Sequence, residues 1–369
     1  SCARHFSKTI LLRFHKIICY TKNMSDLYTQ SGVNIDAGNE TVSRIKKDVA
    51  STHTKAVLTG IGSFGGLYDI GEILKSYKNP VLVQSIDGVG TKLSVARMMN
   101  KYDTVGEDIV NHCCDDLLAM GAKSLTFLDY VANDKLEPAV MEAMVGGMAK
   151  ACRENGVSLI GGETAEMPGV YASGEHDIAG CITGVVEKDK IITGEKIQEG
   201  DIILGLPSSG LHTNGFSLAR RLLFTVAGHK ADEVVGDLGM SVGEALLKVH
   251  VNYSRPVLAM LDNDIDIRGI AHITGGGFIE NIPRVLPESL DAEITKGSWT
   301  MLPVFSYLQK IGNVPEEEMY RVFNMGIGLM LIVPQSEKEN IENTLKDFPD
   351  FKIFEIGKII KGSKKVVLE

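Results

Sequence analysis

Four apolar runs of this chain end alike, in a glycine turn that carries an acid, a lysine or a histidine, and this recurrence restricts what it can fold into. Pro80-Val81-Leu82-Val83 runs into Ser85-Ile86-Asp87-Gly88-Val89-Gly90-Thr91-Lys92-Leu93. Val157–Ile160 runs into Gly161-Gly162-Glu163-Thr164-Ala165-Glu166-Met167-Pro168. Ile202–Leu206 leads to Ser208-Ser209-Gly210-Leu211-His212-Thr213-Asn214-Gly215, and Ile270–Ile273 leads to Thr274-Gly275-Gly276-Gly277. Short apolar runs bounded by glycine read as buried strands, and the periodic stretches between them read as helices. Strands are expected at 81–85, 125–131, 157–160, 178–186, 202–206, 330–333, 351–356 and 364–368. Helices are expected at 109–120, at 137–155 with Gly156 as the C-cap, at 215–226 and at 337–346, with a longer one over 243–261 bent at Pro256. The class is α/β (α+β) in two domains.

The 369 residues suit two cores, and the charged, glycine-bearing stretch 187–201 reads as the link between them. The expected division is a leader over 1–23, an N-terminal domain over 24–195 and a C-terminal domain over 196–369. The leader holds Arg4, Lys8, Arg13, Lys16 and Lys22, no acid, and several large apolar residues. That is the pattern of an organellar transit segment. The alternative is a translation start at Met24, and the expected location is accordingly cytoplasmic, or mitochondrial or plastid if the leader is a transit segment. Net charge is −9 overall and −14 without the leader, which disfavours a nucleic-acid partner. No apolar run approaches the roughly 20 residues of a membrane helix. The six cysteines show no C-x-x-C pair and no zinc spacing.

The glycine turns have a chemistry in common. Asp87 offers a hard oxygen to Mg²⁺, Gly88 and Gly90 let backbone approach phosphate, and Lys92 offers a compact positive charge. The spacing is not that of a Walker A loop. Gly60-Ile61-Gly62-Ser63-Phe64-Gly65-Gly66 is a second loop rich in free backbone N–H groups, or simply a surface turn. Asp116, with Asp115 before it, lies on the helix after Asn111-His112, and Glu163 ends the third strand. Asp87, Asp116 and Glu163 together suit Mg²⁺, which takes few protein carboxylates and keeps phosphate and water as its other ligands. Ser208, Ser209, Gly210, His212 and Asn214 precede a helix and suit a phosphate monoester, or form a capped loop. His272 before Gly275, Gly276 and Gly277 is a proton-transfer group or a core histidine. Gly326-Ile327-Gly328 is a close backbone approach or a strand bulge. Acid- and glycine-bearing loops on both halves point to a nucleotide-using enzyme with its site between domains.

Taken in order, Gly60–Leu67, Asp87–Leu93, the Asp116 helix, Phe127–Tyr130, Gly161–Pro168, Ser208–Leu218, His272–Pro283 and Phe323–Gly328 resemble phosphoribosylformylglycinamidine cyclo-ligase (aminoimidazole ribonucleotide synthetase) from Ser31 to Glu369. The resemblance implies a homodimer that pairs the sheets of its N-terminal domains, with ATP sites near that interface. It implies the step of purine synthesis that closes the imidazole ring. ATP phosphorylates the formyl oxygen of formylglycinamidine ribonucleotide, the ribose-bearing nitrogen attacks that carbon, and phosphate leaves. ATP and Mg²⁺ are the implied cofactors, with a small-molecule substrate, no nucleic acid and no membrane partner.

On these residues, Gly60, Gly62, Ser63, Phe64, Gly65, Gly66, Asp87, Gly88, Gly90, Thr91, Lys92, Asp116, Gly161, Gly162, Glu163 and Thr164 would bind ATP. Asp87, Asp116 and Glu163 would hold the metal, and Lys92 would stabilise charge during transfer. Ser208, Ser209, Gly210, His212, Asn214 and Gly275–Gly277 would hold the substrate. His212 or His272 would take the proton lost on cyclisation. The family commonly has Asn-Asp where this chain has Asp115-Asp116, so extra charge beside the metal is expected. A selenophosphate synthetase, a formylglycinamidine ribonucleotide synthetase, a thiamine-phosphate kinase or a nucleotide-binding scaffold without activity are the rival readings.

Overall fold

The computed structural model describes residue 27 and residues 29–369. The leader reading over 1–23 lies outside the described residues. Helix α1 (Ile35–Ala50) opens with the Asn34 side chain accepting from the Ala37 N–H. A four-stranded sheet follows, built from β1 (Pro80–Gly88), β2 (Lys123–Asn133), β3 (Ser158–Glu166) and β4 (His176–Glu187) in the order β1-β4-β2-β3. Only β2 and β3 run parallel, because the helix between them carries the chain back.

Helices α3 (Asp103–Leu118) and α4 (Pro138–Asn155) cover one face of this sheet; α2 (Lys92–Met99) leads from β1 towards α3. Phe127, Ile109, Leu117, Met141 and Met144 are buried in this layer. Gly106 sets the helix spacing, since a Cβ there would collide with the Met144 carbonyl. The other face is bare, with Leu82 and Ile86 of β1 and Leu128 and Tyr130 of β2 all exposed.

The C-terminal sheet has six strands: β5 (Ile202–Pro207), β6 (Gly269–His272), β7 (Leu290–Ile294), β8 (Ile327–Val333), β9 (Phe354–Lys361) and β10 (Val366–Leu368), ordered β10-β7-β9-β5-β8-β6. All of β8 is buried, so it reads as a continuous apolar run. The two readings of Gly326–Gly328 are both realised. The register shifts between Ile327 and Leu329, and a Cβ on Gly328 would strike the Tyr253 hydroxyl and the His212 ring.

The helix expected over 243–261 is two helices, α5 (Val242–Leu246) and α6 (Ser254–Asp262). Pro256 lies in the first turn of α6, where its missing N–H costs nothing. What interrupts the helix is the link between them, which leaves helical geometry because α3 binds its backbone. Asp108 accepts from the His250 N–H (2.7 Å), Asn111 donates to the His250 carbonyl (2.8 Å), and Asp115 accepts from the Tyr253 N–H (3.0 Å). Asp108, Asn111, His112, Asp115 and Asp116 follow the i, i+3, i+4, i+7, i+8 spacing of one helical face. That face joins the two domains. Among the described residues, no helix is long and apolar enough to cross a membrane.

Candidate active site

Strand β1 and helix α3 bring two acids together. Asp87 comes from the end of β1, on the helix-covered side of the sheet. Asp116 comes from the last turn of α3 and accepts from the Ser85 hydroxyl at 3.0 Å. Each acid has a histidine behind it. His112 Nε2 stands 2.7 Å from Asp87 Oδ2, and His272 Nδ1 stands 2.9 Å from Asp116 Oδ1. The rings form the back wall, with side chains only 3% and 4% exposed, while Asp87 is 42% and Asp116 28% exposed. Burial pushes Asp87 up, but the His112 ring and the Gly88 N–H outweigh it, holding the carboxyl below its usual range. Burial works against Asp116 too, and His272, His112 and Ser85 more than offset it. Both acids are therefore anionic at neutral pH, and both side chains are partly exposed. That fits a hard cation.

Behind the acids lies a buried relay of polar groups. His112 Nδ1 meets Thr213 Oγ1 at 2.6 Å, and His272 Nε2 meets His250 Nε2 at 3.2 Å. His250 stacks on His212 with ring centres 4.0 Å apart. Burial drives His212 and His250 well below the ordinary imidazole range, so both are neutral.

This geometry separates the two histidine candidates. His212 sits at φ 62° and its Nε2 faces the N–H groups of Ser209 (3.3 Å) and Val251 (3.4 Å). Its role is to hold backbone. His272 is hydrogen-bonded to Asp116 and is the nearer of the two to the acid pair. Burial lowers the His272 ring below its usual value, and Asp116 only partly opposes this. A neutral imidazole is the form that accepts a proton.

Lys92 departs from expectation. It is fully buried and ion-paired with Asp108 at 2.7 Å, and it donates to the carbonyls of His212 (2.9 Å) and Lys248 (2.8 Å). All three ammonium protons are engaged inside the protein. A free cation over a polyphosphate is not what the fold provides. Lys92 is a strut that ties α2 to the C-terminal domain. Burial lowers the Lys92 ammonium and pushes Asp108 up to about 6, each opposed by the other's charge.

Asp115 also departs from expectation. It turns away from Asp116 towards the Tyr253 N–H, fully buried, and burial raises its carboxyl well above the usual range. Burial favours its neutral form, and the side chain is turned away from Asp87 and Asp116. A protonated aspartic acid has the shape and neutrality of the asparagine that the family commonly carries there.

The structure separates Glu163 from the other two acids. The register runs Asp87 to Gly180, Gly180 to Asp129, and Asp129 to Gly162, so three strand spacings, roughly 14 Å, lie between the two edges. Glu163 pairs with Tyr130 on the bare face, whereas Asp87 points to the helices. One cation within one chain does not bridge them. Gly161, Gly162 and Thr164 share this far edge. The loop Gly60, Gly62, Ser63, Phe64, Gly65, Gly66 stands beside it, with Gly66 packed against the Ile160 carbonyl and Phe64 fully exposed. The residues expected to bind ATP thus fall into two groups at opposite edges of the sheet.

The third group gathers in the C-terminal domain. Asn214 Oδ1 lies against Gly275, and Gly276 and Gly277 take φ of 97° and 54°. Thr91 Oγ1 lies 3.2 Å from Ser217 Oγ, closing the gap between the β1 turn and this loop. The hydroxyls of Ser208 and Ser209 point inward, donating to Asn324 Oδ1 (3.0 Å) and the Val249 carbonyl (2.5 Å). They shape the loop, and Gly210 is fixed by Asn324 Nδ2 on its carbonyl (2.9 Å). Any phosphate held here would meet backbone N–H groups and Asn214 rather than those hydroxyls. His112, His250, Asp108 and Asn324 join the site without having been singled out from the sequence, and Thr213, expected only as a cap of the next helix, meets His112 instead, Gly215 being the N-cap. Of these only His112 carried a signal, its i, i+4 spacing to Asp116.

Residues 68–186 match the family described as AIR synthase related protein, N-terminal domain, and residues 198–369 match AIR synthase related protein, C-terminal domain. A phosphoribosylformylglycinamidine cyclo-ligase of Bacillus mycoides (strain KBAB4) is 47% identical over 346 residues, covering 94% of this chain and 99% of that protein. A thiamine-monophosphate kinase structure from Stenotrophomonas maltophilia K279a covers 89% of this chain and 96% of its own, with TM-score 0.64 at 17% identity. The hydrogenase maturation protein HypE in complex with ATP covers 90% and 91%, with TM-score 0.63 at 17% identity. The last two share the fold. The first, with both family matches, shows that this chain belongs to the phosphoribosylformylglycinamidine cyclo-ligase family.

Proposed function

We propose that the protein closes the imidazole ring of 5-aminoimidazole ribonucleotide, converting formylglycinamidine ribonucleotide and ATP to product, ADP and phosphate. The observation that carries this reading is the anionic pair Asp87 and Asp116 facing the glycine loops of the C-terminal domain, in a chain of this family. Mg²⁺ on the pair would neutralise polyphosphate charge as the formyl oxygen is phosphorylated. The chain's own residues do the rest. Ser85, His112 and His272 hold the two carboxylates in place and anionic. Asn214 and the turn 275–277 orient the substrate's phosphate or amidine arm. Holding the two ends of an acyclic substrate together supplies much of the rate of a ring closure. The proton lost as the ring forms is taken up at the acid–histidine cluster, where His272, hydrogen-bonded to Asp116 through Nδ1, lies nearer than His212.

The protein acts as a homodimer through the bare face of the N-terminal sheet. Exposed Leu82, Ile86, Leu128 and Tyr130 support this, because a sheet covered on one side only leaves apolar surface that water disfavours. Pairing of two such faces also gives the 60–66 loop and the Gly161–Thr164 edge a place near an ATP site, as they are far from Asp87 in their own chain. The family's purine-pathway role supports a cytoplasmic setting.

The test is binding and turnover together. Calorimetry with ATP and Mg²⁺ is expected to show uptake that Asp87→Ala loses. No Mg²⁺-dependent nucleotide binding by folded protein favours the scaffold reading instead.

A further inference from the structure

We propose that Thr213, a residue of the substrate loop, is a positioning residue for the nucleotide side: it holds the His112 ring that holds Asp87, and so sets the affinity for Mg²⁺–ATP from the other domain. This role rests on the proposed binding of Mg²⁺–ATP at Asp87 and Asp116 and of substrate at the 208–214 loop. A threonine just before a helix is ordinarily its N-cap. Here Gly215 is the N-cap of the helix Phe216–Arg220, and no side chain caps it. The buried Thr213 hydroxyl is spent elsewhere. Its Oγ1 lies 2.6 Å from His112 Nδ1 and 3.5 Å from His250 Nδ1, and Asn214 Nδ2 donates to it at 3.2 Å. A hydroxyl has one proton and two lone pairs, so three such neighbours use it fully.

The contact with His112 is the shortest of the three and crosses from the C-terminal domain to α3. On the other side of the ring, Nε2 stands 2.7 Å from Asp87 Oδ2. That pair is close without the alignment of a hydrogen bond, so the orientation of the ring rests on Nδ1. The other oxygen of Asp87 accepts from the Gly88 N–H (2.7 Å), which leaves His112 as the group that places Oδ2. Thr213 can act as an anchor because the loop around it is itself held. Lys92 donates to the His212 carbonyl (2.9 Å) and Asn324 to the Gly210 carbonyl (2.9 Å). Asp116 has its own supports in Ser85 and His272, so loss of the Thr213 hydroxyl acts through Asp87. A residue whose neighbours in sequence serve the substrate therefore acts on the metal and nucleotide.

The experiment uses the full chain. Calorimetry follows ATP with Mg²⁺, ATP with chelator, and formylglycinamidine ribonucleotide alone, in wild type, Thr213→Val, Thr213→Ala and Thr213→Ser, each checked for folding by urea unfolding. The valine and alanine variants are expected to bind Mg²⁺–ATP about 10-fold more weakly, the scale of a lost support to a metal-binding group. Their binding of metal-free ATP and of the ribonucleotide is expected to change less, and the serine variant, which keeps the hydroxyl, to behave as wild type. Three results overturn the proposal: unchanged Mg²⁺–ATP affinity in whichever of the valine and alanine variants folds, a larger loss for the ribonucleotide than for Mg²⁺–ATP, or a serine variant that binds Mg²⁺–ATP 10-fold more weakly than wild type. Wild type that takes up neither ligand overturns the cyclo-ligase reading as well, and is told apart because it is seen without any variant.

Discussion

Asp115 and Asp116 are neighbours in sequence with opposite fates, and the difference is one of environment. Ser85, His112 and His272 favour the charged form of Asp116, whereas burial favours the neutral form of Asp115 against the pull of the Tyr253 N–H. Asp116→Asn is expected to lower kcat/KM by about 100-fold or more, while Asp115→Asn stays within about threefold, as for removal of a charge-stabilising group against a neutral swap. Steady-state kinetics on both variants check this. The pH dependence follows from the sign of the Asp115 shift. An acid whose folded value is raised contributes stability that is full below its unfolded value, about 3.9, and is lost as pH rises through the folded value. Urea melts from pH 5 upwards are expected to show a fall in stability that Asp115→Asn flattens. Lys92 gives a third residue-scale outcome. Lys92→Met leaves Asp108 buried and unpaired, and is expected to cost about 3–5 kcal/mol in urea unfolding, recovered in large part by adding Asp108→Leu.

At the scale of elements, α3 organises the protein. It packs on the sheet, on α4 and on the link between α5 and α6. Its approach to α4 is set by Gly106, so Gly106→Ala is expected to destabilise by about 1–3 kcal/mol through overpacking, read by denaturant midpoint at unchanged m-value. Most strands and the helices α3 and α4 were legible in the sequence, because apolar runs and glycine caps such as Gly156 are local signals, whereas β7, α1 and α2 were not expected from it. The break at 247–253 was not, because its cause is the set Asp108, Asn111 and Asp115 on a helix more than a hundred residues earlier. The structure does bring Asp87, Asp116 and His272 to one place, as acids and a histidine at strand or helix ends suggested. The committed state of Lys92, the inward turn of Ser208 and Ser209 and the recruitment of His250 were not, because each depends on which partner the fold brings near. Glu163 looked equivalent to Asp87 by motif, and strand order and the opposite sheet face set them apart.

The whole molecule has two domains locked at one face and open at another. The bare face of the N-terminal sheet predicts self-association. Wild type is expected to sediment as a dimer, and the double substitution Leu82→Glu with Ile86→Glu as a folded monomer, since charge in an apolar contact is heavily penalised. A monomeric wild type would leave the two groups of ATP residues without a common site. The account's central claim is the reaction. Purified protein given ATP, Mg²⁺ and formylglycinamidine ribonucleotide should yield a diazotisable aminoimidazole whose colour requires all three components and vanishes in Asp87→Ala. Folded, ATP-binding protein that produces no colour under these conditions would contradict it.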